Sequence, residues 1–333
     1  MNADKWISDI IGADRCFNIP IMTHPGIEMI GATVKDVVQN GERHAQAIYE
    51  LSKVYPSDAA TVIMDLTVEA EAFGSVVEFP EDDMPHVIGT LVDASSVEAL
   101  QVPSVSSGRV PEYLLANRLA VELIKDKPVF AGAIGPFSLA GRLYGMSEIM
   151  VDCYLEPEAI TLLLEKCTQF ITDYCLELKK TGCMGVIIAE PAAGLLSNDD
   201  CMMFSSIYMK EIIEKVQDEN FMVVLHNCGN TGQCTGAMVA TGAKAYHFGN
   251  AVSMIEALKE CPADSLVMGN IDPVGVLRMM SPEEVKCQVT SLLDAVAQYP
   301  NFVLSTGCDT PPHLPQENIK AYYEALDAFN SKG

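Results

Sequence analysis

Two runs decide the fold: Gly185-Val186-Ile187-Ile188-Ala189-Glu190-Pro191, and then Met222-Val223-Val224-Leu225-His226-Asn227-Cys228-Gly229, with a helical segment at roughly Asp200–Glu219 between them. Each apolar run is short and rich in branched aliphatic residues, and each stops abruptly in polar or turn-forming residues. That is the signature of a strand buried on both faces. Strand, helix, strand in that order places two parallel neighbours around a crossover.

The same cycle repeats on both sides of this unit. Residues 1–16 read as a helical lead-in. Strand one is expected over Phe17–Met22 and strand two over Ala60–Asp65, with a helix at about Gly41–Val54 between them. Residues 74–127 form a longer excursion. Pro80, Pro85 and Pro103 keep its first half irregular, and a helix at about Glu112–Ile124 closes it. Strand three is Val129–Ile134, followed by helices near Ser147–Tyr154 and Pro157–Thr181. Strands six, seven and eight are Ala245–Phe248, Ser265–Met268 and Phe302–Leu304, with helices at about Ser253–Glu260, Pro282–Gln298 and Gln316–Asn330 after them. Eight strand–helix cycles without a linker imply an α/β fold, a (β/α)8 TIM barrel spanning 1–333 as one domain. Barrel sites form at the C-terminal strand ends. His24, Asp65, Glu190, His226, Asn250, Asp272 and Cys308 would share that face.

The composition bounds the function. A chain of 333 residues that is 49% hydrophobic and 20% charged can bury a large core. A formal net charge of -24 argues against nucleic acid and against anionic membrane surfaces. No apolar stretch reaches the length of a membrane span. The segment Met1-Asn2-Ala3-Asp4-Lys5-Trp6 lacks the basic and apolar regions of a signal peptide, so a cytoplasmic protein is expected. The 11 cysteines are odd in number and several sit in helical segments, which suits reduced thiols. With 17 methionines they suit an anaerobe.

His226 and Cys228 carry the chemistry. Alternate residues of a strand share a face, so this His-x-Cys pair can chelate one ion. The pair alone equally fits a buried thiol and a turn-capping imidazole. Cys308, in Val303-Leu304-Ser305-Thr306-Gly307-Cys308-Asp309, ends another strand in the same way. Two thiolates and an imidazole are a donor set for Zn2+, and three protein ligands leave a position open, as in catalytic zinc. Glu190 ends the strand beside His226. It is a candidate fourth ligand or an acceptor for a histidine N–H, the alternative being a solvated loop carboxylate. Asp309 and Asn227 flank ligands and could orient them, or could serve ordinary turns. His247 is a competing ligand, or a packed histidine. Gly229-Asn230-Thr231-Gly232 precedes a helix expected near Gln233, so its backbone N–H groups could hold a sulfonate, carboxylate or phosphate. The other cysteines, Cys234 included, show no ligand spacing and read as packing residues. No phosphate-binding Gly-Lys loop, no dinucleotide Gly-x-Gly-x-x-Gly and no Gly-x-Ser-x-Gly elbow is present.

These residues carry a resemblance to a known family. Asp65-Leu66-Thr67-Val68-Glu69-Ala70-Glu71-Ala72-Phe73-Gly74, Gly135-Pro136-Phe137-Ser138-Leu139-Ala140 and Glu190-Pro191-Ala192-Ala193 resemble motifs of the uroporphyrinogen decarboxylase superfamily over nearly the whole chain. The His-x-Cys…Cys signature resembles its zinc-dependent branch of corrinoid:coenzyme M methyltransferases. The decarboxylase proper carries an arginine-rich segment after strand one. Ile21-Met22-Thr23-His24-Pro25-Gly26-Ile27-Glu28 has no arginine, which disfavours a porphyrin tetracarboxylate. The resemblance implies Zn2+ on His226, Cys228 and Cys308 and a small thiol substrate such as coenzyme M. It further implies a methylcobalamin-type corrinoid as donor, whose methyl passes from Co(III) to the thiolate. A corrinoid protein would dock at the mouth, with 74–127 and the loops after strands one and two as candidate surfaces; assembly as a homo-oligomer stays open. Another corrinoid-linked demethylase, or a metal-free decarboxylase, remains the alternative.

Overall fold

Eight parallel strands in the computed structural model, which describes residues 2–332, form one continuous sheet. With a separate two-stranded hairpin, the ten strands of the described residues are β1 (Phe17–Asn18), β2 (Ala60–Thr61), β3 (Val76–Glu78), β4 (His86–Ile88), β5 (Val129–Ile134), β6 (Gly185–Ala189), β7 (Met222–Asn227), β8 (Ala245–Phe248), β9 (Leu266–Ile271) and β10 (Phe302–Thr306). The sheet runs β1-β10-β9-β8-β7-β6-β5-β2, all parallel, while β3 and β4 make a separate antiparallel hairpin. At the seam between β1 and β2, Asp58 N–H donates to Asn18 O at 2.9 Å, and the Asp58 carboxylate accepts from Asn18 N–H at 2.8 Å. The fold is the (β/α)8 barrel.

Two expected strands are shorter than their apolar runs. Strand one, read as Phe17–Met22, pairs as a ladder only at Phe17 and Asn18. Pro20 has no N–H to give, and Ile21 N–H goes to Thr306 Oγ1 at 3.1 Å instead of a backbone carbonyl. Strand two, read as Ala60–Asp65, loses its ladder after Thr61, and Ile63 N–H is taken by His44 Nε2 at 2.9 Å. The excursion is more regular than its prolines suggested, since Val76–Glu78 pairs with His86–Ile88. The helix expected over Asp200–Glu219 is three pieces: Asn198–Cys201, a π-helical turn at Met202–Ser206, and Ile207–Val216.

The lead-in closes the bottom of the barrel. Helix Ala3–Ile11 turns Ala3, Ile7 and Ile10 inward, and the single tryptophan, Trp6, packs its ring 5.8 Å from Phe130. Above it lies an apolar layer of Ile187, Met222, Val224, Leu266, Met268 and Val303. Along β7 the inward positions run Met222, Val224 and His226, because side chains alternate. One step further is Cys228. The apolar lower barrel thus passes into a polar upper layer on the same strand.

The end of β2 is a charge cluster. Arg109 donates to Asp65 Oδ2 at 2.6 Å, to Thr67 Oγ1 at 2.9 Å and to Val38 O at 2.9 Å, and it also pairs with Glu71. Asp65, placed by sequence on the catalytic face, is therefore engaged in anchoring the excursion. Nearby Glu69 is buried. Its Oε1 accepts from Ile134 N–H at 3.0 Å, and its Oε2 has no partner. Burial pushes its carboxyl up to about 7, from an ordinary 4.5. The native state then holds a proton that the unfolded chain releases near pH 4.5. Stability should fall as pH rises from about 4.5 to 7 and level off above that, by on the order of 3 kcal/mol from this group. Glu69→Gln should flatten that slope by a similar amount, as read from urea midpoints between pH 5 and 8.

Candidate metal centre

His226, the fifth residue of β7, points into the barrel and is 2% exposed. Cys228 follows in the turn, and Cys308 stands two residues beyond the end of β10; both are half-buried. One ligand atom from each of the three lies within 4.8 Å of the others, and no other such group of His, Cys, Asp or Glu forms among the described residues. A tetrahedral ion with metal–sulfur bonds of about 2.3 Å needs ligand edges of about 3.8 Å. The three atoms are thus placed for one ion with little movement, and the donor chemistry is that of zinc. The two thiols behave as a pair. The hydrogen bond between them draws Cys228 below the ordinary thiol value and pushes Cys308 above it. A bound cation would favour the thiolate form of both.

Tight backbone contacts place Cys228. A Cβ at Gly194 would lie 2.1 Å from Gly229 C and 2.3 Å from Asn230 N, so only glycine lets the turn after β6 press on the turn after β7. A Cβ at Gly249 would come within 2.8 Å of Cys228 Cα and O. The cysteine is held from both neighbouring strands.

Other sequence candidates stand elsewhere. Glu190 is 1% exposed, but its oxygens are spent on the start of helix Pro136–Tyr144. They accept from Phe137 N–H at 2.7 Å, Ser138 N–H at 3.0 Å and Ser138 Oγ–H at 2.6 Å. Burial holds it at about 7 despite those bonds. Its carboxylate serves that helix end and has no hydrogen bond to a side chain of the cluster; its link to His226 is through the backbone, Glu190 N–H to His226 O at 2.8 Å. Asp309 accepts from Thr23 Oγ1 at 2.9 Å and Thr310 N–H at 2.8 Å, with His24 Nδ1 at 4.0 Å. It ties the β10 turn to the loop after β1 rather than orienting a ligand side chain.

The Gly229-Asn230-Thr231-Gly232 turn is not an open anion cradle. Asn230 N–H donates to Asn227 Oδ1, Thr231 N–H to Gln233 Oε1, and the N–H groups of Gly232 and Cys234 to Asn230 Oδ1, at 2.8–3.0 Å. The helix begins at Thr235 and is five residues long. Side-chain oxygens have taken the N–H groups of Asn230, Thr231 and Gly232, three of the four donors that the turn would offer an anion. Cys234 is fully buried with its thiol on Leu196 O at 3.3 Å, a packing residue as read.

His247 is closer to the centre than the sequence suggested. It is the register partner of His226 on β8, fully buried, with Nδ1 2.7 Å from His226 Nδ1. Its Nε2 lies 2.8 Å from Ser305 Oγ on β10. The signal was available: Tyr246-His247-Phe248 ends its strand as Leu225-His226-Asn227 does, and adjacent parallel strands set equivalent ends side by side.

Over residues 20–329 the chain matches the family model for uroporphyrinogen decarboxylase (URO-D). Methylcobamide:CoM methyltransferase MtbA of Methanosarcina mazei is 27% identical over 308 residues, covering 91% of this chain and 89% of that protein. Uroporphyrinogen decarboxylase of Legionella pneumophila is 25% identical over 299 residues, covering 87% and 84%. Among solved structures, a methyltransferase from Methanosarcina mazei superimposes with a TM-score of 0.88 at 22% identity over 99% of both chains. A B12-independent methionine synthase from Shewanella sp. W3-18-1 gives 0.60 at 16% identity over 87% of both. These likenesses establish the barrel and its lineage: the chain belongs to the uroporphyrinogen decarboxylase family.

Proposed function

We propose that the protein is a corrinoid-linked methyltransferase that moves a methyl group between a methylated corrinoid, carried by a protein partner, and a small thiol such as coenzyme M. His226, Cys228 and Cys308 would hold Zn2+. The observation that carries this reading is the convergence of those three side chains from β7 and the end of β10 on one point at the barrel mouth. Bound there, the ion would supply Lewis acidity that keeps a thiol as its thiolate at neutral pH.

The chain's own residues do the rest. Two cysteines and one histidine leave room for a fourth donor, and both cysteines are only half-buried where a substrate would enter. With two thiolates already present, a third sulfur would sit in an anionic site and keep its nucleophilicity. The buried His226 closes the centre from below, where the apolar layer excludes water. Glu190 and Asp309 would act by holding the turns that carry the ligands. The MtbA relatives are named for the reaction proposed here. Decarboxylase relatives are about as similar, but the segment 21–28 offers no arginine to a polycarboxylate. No helix among the described residues is long and apolar enough to cross a membrane, which suits a cytoplasmic enzyme meeting a corrinoid protein.

Free methylcobalamin is the test donor. Anaerobic protein with zinc and coenzyme M should convert its spectrum to that of the demethylated cofactor and yield the methyl thioether. Turnover with another thiol would redirect the acceptor. Demethylation without any thiol, or none with a panel of thiols, would overturn the reading.

A further inference from the structure

We propose that His247, backed by Ser305, sets the tautomer of His226 so that its Nε2 lone pair faces the two cysteines. This rests on the metal-centre reading above and identifies a positioning residue for it.

The direction of the protons follows from one fixed acceptor and from the burial of His247 without a counter-charge. Ser305 Oγ lies 2.7 Å from Ile19 O, and a carbonyl oxygen can only accept. The hydroxyl proton is therefore committed to Ile19. Ser305 Oγ can then only accept from His247 Nε2, 2.8 Å away, so that nitrogen carries a proton. His247 is fully buried, and its ring nitrogens face the Ser305 hydroxyl, the Thr306 backbone and the His226 ring, with no carboxylate among these partners. Without a counter-charge burial keeps the ring neutral, and its Nδ1 bears a lone pair. His226 Nδ1, 2.7 Å from that lone pair, must be the donor. His226 is left with a proton on Nδ1 and a free pair on Nε2.

The geometry of the barrel makes this relay. His226 and His247 are register partners on β7 and β8, and their rings meet nearly edge to face, centroids 4.6 Å apart at 75°. Ser305 reaches across from β10, one strand beyond β9. A ligating histidine usually gives its second N–H to a carboxylate or carbonyl. Here an imidazole takes that place and passes the demand through a hydroxyl to the backbone carbonyl of Ile19, just after β1. The relay adds no negative charge beside a centre that already has two thiolates.

The test reads the tautomer before the metal. In zinc-free, 15N-labelled protein, long-range proton–nitrogen correlation should show His226 protonated at Nδ1, the signal being assigned by its loss in His226→Asn. His247→Leu should release that preference and weaken zinc binding about 10- to 100-fold in chelator competition. His247→Asn keeps an acceptor where Nδ1 stood and should restore both the tautomer and most of the affinity. Should the leucine variant fail to fold, the wild-type tautomer and the asparagine variant still decide. Wild-type His226 protonated at Nε2, or a folded His247→Leu with unchanged tautomer and affinity, would overturn the relay while leaving the metal centre intact. A wild-type protein that binds no zinc would remove the metal centre, and the tautomer in the same sample would still support or reject the relay.

Discussion

Cys308→Ala should lose its zinc and its thiol-dependent methyl transfer together. The remaining ligands, His226 and Cys228, come from one strand end and its turn, and nothing else among the described residues completes the set. Zinc bound by four ligands in small peptides is worth about 10–16 kcal/mol, so one thiolate is worth about 3 kcal/mol or more. That is at least a roughly hundredfold loss of affinity, enough to empty the site at micromolar metal. The fold should survive, because Cys308 is half-buried in a turn beyond β10 and packs no core. Zinc per chain by mass spectrometry, thermal melting of both metal-free proteins, and methylcobalamin turnover would be measured side by side. A variant that melts like the parent, binds no zinc and is inactive is expected. One that keeps stoichiometric zinc would remove Cys308 from the centre.

Gly194→Ala should be the most disruptive single methyl near the site. The added carbon would fall 2.1 Å from Gly229 C and 2.3 Å from Asn230 N, both backbone atoms. No side-chain rotation relieves that contact. The turn after β6 must retreat from the turn after β7, and the Asn227–Asn230–Gln233 hydrogen bonds that shape the second turn must move with it. Overpacking of this kind costs about 3 kcal/mol. Because Cys228 immediately precedes Gly229, zinc affinity should fall in the same variant by about tenfold or more, while the lower barrel is untouched. Urea unfolding and chelator competition check the two effects. Unchanged values in both would show that this contact does not position Cys228.

The barrel was legible because its evidence is repeated. Eight apolar runs of strand length, each followed by a helical segment, admit few parallel arrangements, and each run appears as a sheet strand. What the sequence did not show was where backbone donors go. Pro20 and the His44 acceptor shorten β1 and β2, and only the second needs a contact from a distant helix. The convergence of His226, Cys228 and Cys308 was legible because strand alternation and the equivalent strand ends of Cys228 and Cys308 are local facts. Glu190 was misread for a physical reason. Its position beside β7 is correct, but the donors that claim it, Phe137 N–H and Ser138, lie on another crossover. The glycine turn was misread for the opposite reason, since the competing acceptors Asn227, Asn230 and Gln233 stand in the same segment and favour closed turns. His247 required the register between β7 and β8, which follows once those strands are known to be neighbours.

The measurement that tests the central claim most directly is zinc X-ray absorption of the loaded protein before and after coenzyme M. One nitrogen and two sulfurs, the latter at about 2.3 Å, are expected in the first spectrum, with one further light atom. A third sulfur should replace that atom when the thiol is added. A first shell already closed by protein ligands, or one that the thiol leaves unchanged, would contradict a catalytic metal centre at His226, Cys228 and Cys308.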